Sequence, residues 1–189
     1  MRDEILAATE KLLISTGDAD RVSIRMISEA VGVTAPSLYM HFPDKDALLF
    51  AVCQAQFVRL ERAIEAAVRD IDDPVQRLHA MGHTYVRFGV EHPEQYRILL
   101  MTKMQVTRDD FEAGTIPGVS AFTQLLRAVE ACMDAGAFRR GDAFLVATGL
   151  WAVVHGITSL RISMHGFPFV GGTELLDHVL AVQVKGLAP

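Results

Sequence analysis

Apolar positions in this 189-residue chain recur at intervals of three and four almost from end to end. Ile5, Leu6, Thr9, Leu12 and Leu13 trace the first stripe, which ends at Gly17. No segment shows the alternation between turn signals that a strand requires, so the pattern predicts an all-α chain. Ser23 caps a second helix carrying Ile24, Ile27 and Val31, and Gly32 stands where a left-handed C-terminal residue is expected. Thr34 caps a third, with Pro36 in its first turn, where a missing amide donor costs nothing. Asp44, after Pro43, caps a fourth running from about Lys45 to Asp70, broken by "DDP" at 72 to 74. The remaining punctuation predicts a fifth helix from Pro74 to Glu91 and a sixth from near Pro93 through "HPEQYRILLMTKM". A loop over 105 to 116 is followed by a seventh helix from Pro117 to Ala135, an eighth over about 142 to 164 and a ninth from Glu174 to Gly186.

The most informative interval is "VGVTAPSLYMHFPDKDALLFAV" at 31 to 52. Two short helices joined by "VGV" form the geometry of a helix-turn-helix, whose second helix can enter a DNA major groove. Ile27, Ala30, Val33, Leu38 and Phe42 are expected to hold the pair against the first helix. Ala35, Pro36, Ser37, Tyr39, Met40 and His41 then face outward at least in part. Helix N-termini attract phosphate, so the capped starts at Ser23, Thr34 and Asp44 are placed for a nucleic-acid backbone, with Arg25, Tyr39 and Lys45 supplying donors.

Charge works against that picture. The net charge is −5, and residues 1 to 50 hold five Lys/Arg against eight Asp/Glu. Nucleic-acid binding must therefore rest on a local patch. Cys53 and Cys132 are too few for a disulfide framework and read as buried small hydrophobes, with a redox-sensing thiol as the alternative. The start of the chain lacks an arginine-led apolar segment with a cleavage site, so the expected location is the cytoplasm. The run "AFLVATGLWAVVHGITSL" at 143 to 160 approaches the length of a membrane span, but it contains His155 and a stripe of small residues. It is expected to be a buried helix in a soluble protein with no membrane partner.

From Met1 to about Val52 the chain resembles the DNA-binding domain of the TetR family of transcriptional repressors. "VTAPSLYMHFPDKDALL" matches the family signature, whose tyrosine, histidine, phenylalanine and lysine stand here as Tyr39, His41, Phe42 and Lys45. The resemblance implies that Ser37 and its neighbours meet base edges and that Arg25 approaches a base or phosphate. It also implies that Tyr39, His41 and Lys45 grip phosphates. With Ala35, Pro36 and Met40 on the same face, base selection is expected to lean on van der Waals contact and thymine methyls.

The rest of the chain has no G-x-S-x-G, no P-loop and no glycine-rich dinucleotide loop. His79 and His83 lie one turn apart, a zinc-compatible spacing, but the glutamate of H-E-x-x-H is missing and no third ligand is evident. Trp151, His155 and Gly156 resemble the tryptophan, histidine, glycine motif of one group of TetR-family C-terminal domains, and "EHPEQYRILL" at 91 to 100 resembles another part of that group. This implies an effector-binding and dimerisation domain. Phe88, Tyr96, Leu100, Met104, Phe122, Leu126, Trp151 and His155 have the composition of a small-molecule pocket, and equally of a helical core.

Gly149, Ala152, Gly156, Ser159 and Ser163 on the eighth helix, with Leu176, Val179, Leu180, Gln183 and Leu187 on the ninth, suit a two-fold four-helix interface. Packing of the small stripe against the chain's own fourth helix is the alternative. The expected organisation is thus a three-helix DNA-binding domain over 1–52, with its motif at about 23–42, and an effector-binding and dimerisation domain over 53–189. The expected protein is a homodimeric, ligand-responsive repressor of a palindromic operator, with no cofactor and no catalytic residue. The rivals are a helical adaptor of the same fold without DNA binding and a metal-dependent enzyme using His79 and His83.

Overall fold

The computed structural model describes residues 1–101, 109, 113–114, 116, 118–164, 166–168 and 173–189. Among these the chain is all-α, with nine helices, one 3-10 turn and no strand. The helices are α1 (Arg2–Thr16), α2 (Ile24–Val31), α3 (Ala35–Tyr39), α4 (Lys45–Val68) and α5 (Pro74–Glu91). They continue as α6 (Pro93–Met101), α7 (Val119–Asp134), α8 (Ala143–Ser163) and α9 (Glu174–Leu187). The chain forms two compact units, Met1–Val58 with Glu94–Pro117, and Arg59–Pro93 with Gly118–Pro189. Helix α4 runs unbroken through the boundary at Val58.

In the first unit α1 buries Ile5, Thr9 and Leu13, one residue per turn. Thr9 is tolerated there because its hydroxyl donates to the Ile5 carbonyl at 2.7 Å. Around this stripe gather Val22, Ile27, Leu38, Phe42, Leu48, Val52, Cys53 and Ile98. Ala30, expected among the core contacts, is exposed instead, and Val33 is half-buried. On the eight-residue α2 the buried residues are Ile27 and Ser28, and Ala30 lies at the exposed edge of that face. Helix α6 completes this unit from later in the chain. The Cys53 thiol donates to the Ile98 carbonyl at 3.4 Å, and the Gln95 amide donates to Glu10 Oε1 at 3.3 Å.

In the second unit α5 packs against α7 and α8, and α9 against α5 and α8. Gly82 permits the α5–α9 approach, since a Cβ there would stand 3.2 Å from Leu180 Cδ1. Asp73 and Asp142 cap α5 and α8, accepting from the Gln76 and Leu145 amides at 2.8 and 3.0 Å. Helix α8 departs from the expectation of a buried helix. It buries Ala147, Leu150, Val154, Ile157, Thr158 and Ile162, while Phe144, Leu145, Trp151 and Leu160 are exposed. Among the described residues it is the one helix long and apolar enough to cross a membrane.

Candidate nucleic-acid interface and effector site

The turn between α2 and α3 is built by local chemistry. Ser23 Oγ accepts from the Met26 amide at 3.2 Å, fixing the start of α2. At its end Gly32 takes φ 77°, and the Gly32 and Val33 amides both donate to the Ser28 carbonyl, at 2.9 and 3.0 Å. Thr34 Oγ1 then accepts from the Ser37 amide at 3.4 Å and opens α3. Leu38 near the end of the five-residue α3 is wholly buried, and Phe42 just beyond it nearly so, so the C-terminal part of α3 is anchored in the core.

That anchoring turns the candidate residues outward. Met40 is 85% exposed and Tyr39 49%. Ser23, Arg25, Thr34, Pro36 and His41 are also exposed, and Ala35, Ser37 and Lys45 are half-buried. The hydroxyl oxygens of Ser23 and Thr34 accept from the Met26 and Ser37 backbone amides. Asp44 caps α4 by accepting from the Ala47 amide at 2.7 Å, next to Lys45. Arg25 Nε donates to Glu29 Oε1 at 2.8 Å, and this bond and charge raise the guanidinium pKa above its ordinary value. Glu29 escaped the sequence reasoning, although its four-residue spacing from Arg25 was visible there.

The effector candidates do not all assemble. Trp151 Nε1 donates to the Tyr85 hydroxyl at 3.2 Å, and that hydroxyl lies 3.4 Å from His155 Nδ1. Burial lowers the His155 pKa, which favours the neutral ring. Phe122 meets Trp151 edge to face at 6.2 Å between centroids and Phe144 at 5.2 Å. Tyr85 and Phe144 were not among the expected residues. Phe88 is buried and stacks edgewise on His92 at 5.2 Å, while Leu126 is half-buried. Tyr96, fully buried, and Leu100, half-buried, belong to the first unit, and Met104 lies outside the described residues.

Other candidates resolve into packing. His83 Nε2 lies 2.7 Å from Asp177 Oδ1, so α9 supplies its partner, and no group of three metal-ligating side chains occurs among the described residues. Burial pushes both cysteine thiols up to about 11, with the Asp73 charge contributing at Cys132, so both stand as thiols at neutral pH. Of the pairing residues, Gly149, Ala152 and Ser163 are exposed, and Gly156, Ser159, Val179, Gln183 and Leu187 are half-buried. Leu176 and Leu180, expected on the same outer face, are instead buried in the second unit's own core. Gly82 leaves room for Leu180 against α5, which draws this stripe of α9 inward. Between α8 and α9 an apolar groove of about 250 Å³ is lined by Val146, Gly149, Leu150, Gln183, Gly186 and Leu187.

Two family models match the chain. The one described as bacterial regulatory proteins, tetR family, covers residues 5–52, and the one described as the Tetracyclin repressor-like C-terminal domain covers 78–183. The chain is 31% identical over 102 residues to the nucleoid occlusion factor SlmA of Vibrio campbellii, covering 52% of this chain and 50% of that protein. It is 31% identical over 134 residues to the HTH-type transcriptional activator FasR of Mycolicibacterium smegmatis, covering 71% and 56%. Each match thus spans about half the length of the relative. A solved structure of a protein of unknown function from Rhodococcus sp. RHA1 is 28% identical, with TM-score 0.79 and coverage of 100% and 95%. A tetR-family regulatory protein from Rhodococcus RHA1, 18% identical with TM-score 0.73 and coverage of 99% and 96%, shares the fold.

Proposed function

The chain belongs to the tetR family of bacterial regulatory proteins, DNA-binding transcription regulators and not enzymes, and from that premise we propose that it is a cytoplasmic homodimer that represses transcription from a palindromic operator. The observation that carries this reading is the anchoring of α3, with Leu38 and Phe42 buried beneath it while Tyr39, Met40 and His41 stand in solvent. Residues 1–52 form the DNA-binding domain and 53–189 the effector-binding and dimerisation domain. Ser37, with Ala35, Pro36 and Met40, meets base edges, and Ser23, Thr34, Tyr39, His41 and Lys45 hold phosphates.

The effector is an apolar or amphipathic small molecule received beside Trp151, His155 and Phe122. Tyr85 joins that set because its hydroxyl links the tryptophan to the histidine. Effector binding favours a dimer geometry in which the two α3 helices no longer match consecutive major-groove half-sites. A tenfold weakening of operator affinity corresponds to about 1.4 kcal/mol of coupling. The fourth helix, shared by both units, is the lever. The two-fold interface uses the exposed small residues of α8 with Val179 and Gln183, and the groove between α8 and α9 is sized for an apolar side chain of the partner copy.

Selection from a random double-stranded DNA pool tests the core of this reading, with a palindromic motif as the expected product. A reporter carrying that motif then separates repression from the activation named for the Mycolicibacterium relative. The acidic balance of residues 1 to 50 favours one second reading, an adaptor of the same fold that no longer binds DNA. It predicts no salt-dependent retention on mixed DNA, whereas a DNA-binding protein shows a steep dependence.

A further inference from the structure

Helix α2 carries a charge arrangement that helix stability does not explain. Arg25 sits at the second position of α2, where the helix dipole disfavours a cation. Glu29 follows at the i+4 position, and a pair ordered with the cation first gains less than the reverse order, which is itself weak. Both side chains stand in water, 87% and 63% exposed, so the pair adds little to folding. In a unit with so few cations, a carboxylate beside Arg25 also lowers the attraction for phosphate.

The geometry supplies a reason for the arrangement. Side chains on an α-helix lean toward its N-terminus, so Glu29 reaches back one turn to Arg25, which stands in the first turn of α2. The bond is made at Nε, 2.8 Å from Glu29 Oε1. It holds the guanidinium at Nε and leaves the terminal fork of Nη1 and Nη2 for a further pair of acceptors. A guanidinium held in one plane meets the O6 and N7 of guanine with both hydrogen bonds and less ordering cost than a freely rotating one.

We propose that Glu29 is a positioning residue for DNA recognition, bracing Arg25 so that its outer edge reads a guanine in each operator half-site. This rests on the reading of the chain as an operator-binding regulator. Two explanations of Glu29 make opposite predictions. If it is merely a surface charge, removing it strengthens binding to every sequence. If it is a brace, removing it weakens binding to the preferred sequence and erases one base preference.

The experiment uses the full-length protein, the palindromic duplex obtained by selection, and single-base variants of that duplex. For E29Q and E29A the expected result is a loss of about tenfold in affinity for the selected duplex and loss of guanine preference at one position per half-site. Retention on mixed DNA should stay the same or rise. R25A should lose the same preference, and E29A on top of R25A should add little, because the brace then has nothing to hold. Thermal melts matching the wild type exclude a folding defect. An unchanged motif with uniformly tighter binding in E29Q overturns the brace and leaves the regulator reading intact. A wild-type protein that selects no motif overturns both.

Discussion

Tyr85 shows how one side chain can join two others without announcing itself in the sequence. It is a single buried tyrosine on α5, three positions before Phe88 and unremarkable in periodicity, yet its hydroxyl connects Trp151 to His155. Helical spacing placed Trp151 and His155 on one face, and it was silent about which residue of another helix meets them. Tyr85→Phe removes both hydrogen bonds at nearly constant volume, and about 1 to 2 kcal/mol of stability should go with them, read as a lower thermal midpoint. His155 adds a pH signature. Its folded-state pKa lies below the ordinary 6.5, so as pH falls through that value the unfolded chain takes up the proton first and stability is lost. Melting curves of wild type and H155Q should diverge below about pH 6.5, with the wild type falling more steeply. On the DNA side, K45A should weaken binding to all sequences and reduce the salt slope by about one, while S37A should change base preference at one position. A titration of both variants against matched and mismatched duplexes separates the two effects.

The helices were legible at their ends because the ends are made of local chemistry. Ser23, Thr34, Asp44, Asp73 and Asp142 each accept from a first-turn amide, and Gly32 closes α2 in the left-handed region. What covers a helix is not local, and there the expectations slipped. Helix α6 packs with the first unit although it follows α5 in the chain, α8 keeps an apolar face in solvent, and Leu176 and Leu180 of α9 turn inward. A stripe in the sequence says that a face is buried without naming its partner. Gly32→Ala tests the local side of this division. An added Cβ meets nothing within 4 Å, so the cost is backbone strain alone at φ 77°. Denaturant unfolding should show a loss of about 1 kcal/mol, with DNA affinity at saturating stability little changed.

At the scale of the whole molecule, assembly and folding can be separated at Gly149. It is exposed, it lines the groove between α8 and α9, and an added Cβ has open space. Gly149→Arg should therefore leave the chain folded and, on the proposed two-fold pairing through this face, give a monomer by sedimentation that no longer binds the proposed palindrome. Helix α4 has its own consequence. Its 24 residues span about 36 Å without glycine or proline, and the boundary between the units falls inside it. No loop is available there for a splice. Anyone exchanging the reading head for that of another regulator must join the two chains in helical phase, since one surplus residue turns everything downstream by about 100° around the helix axis. Recombination between relatives faces the same arithmetic, so functional hybrids should be those whose crossover preserves the residue count of this one helix.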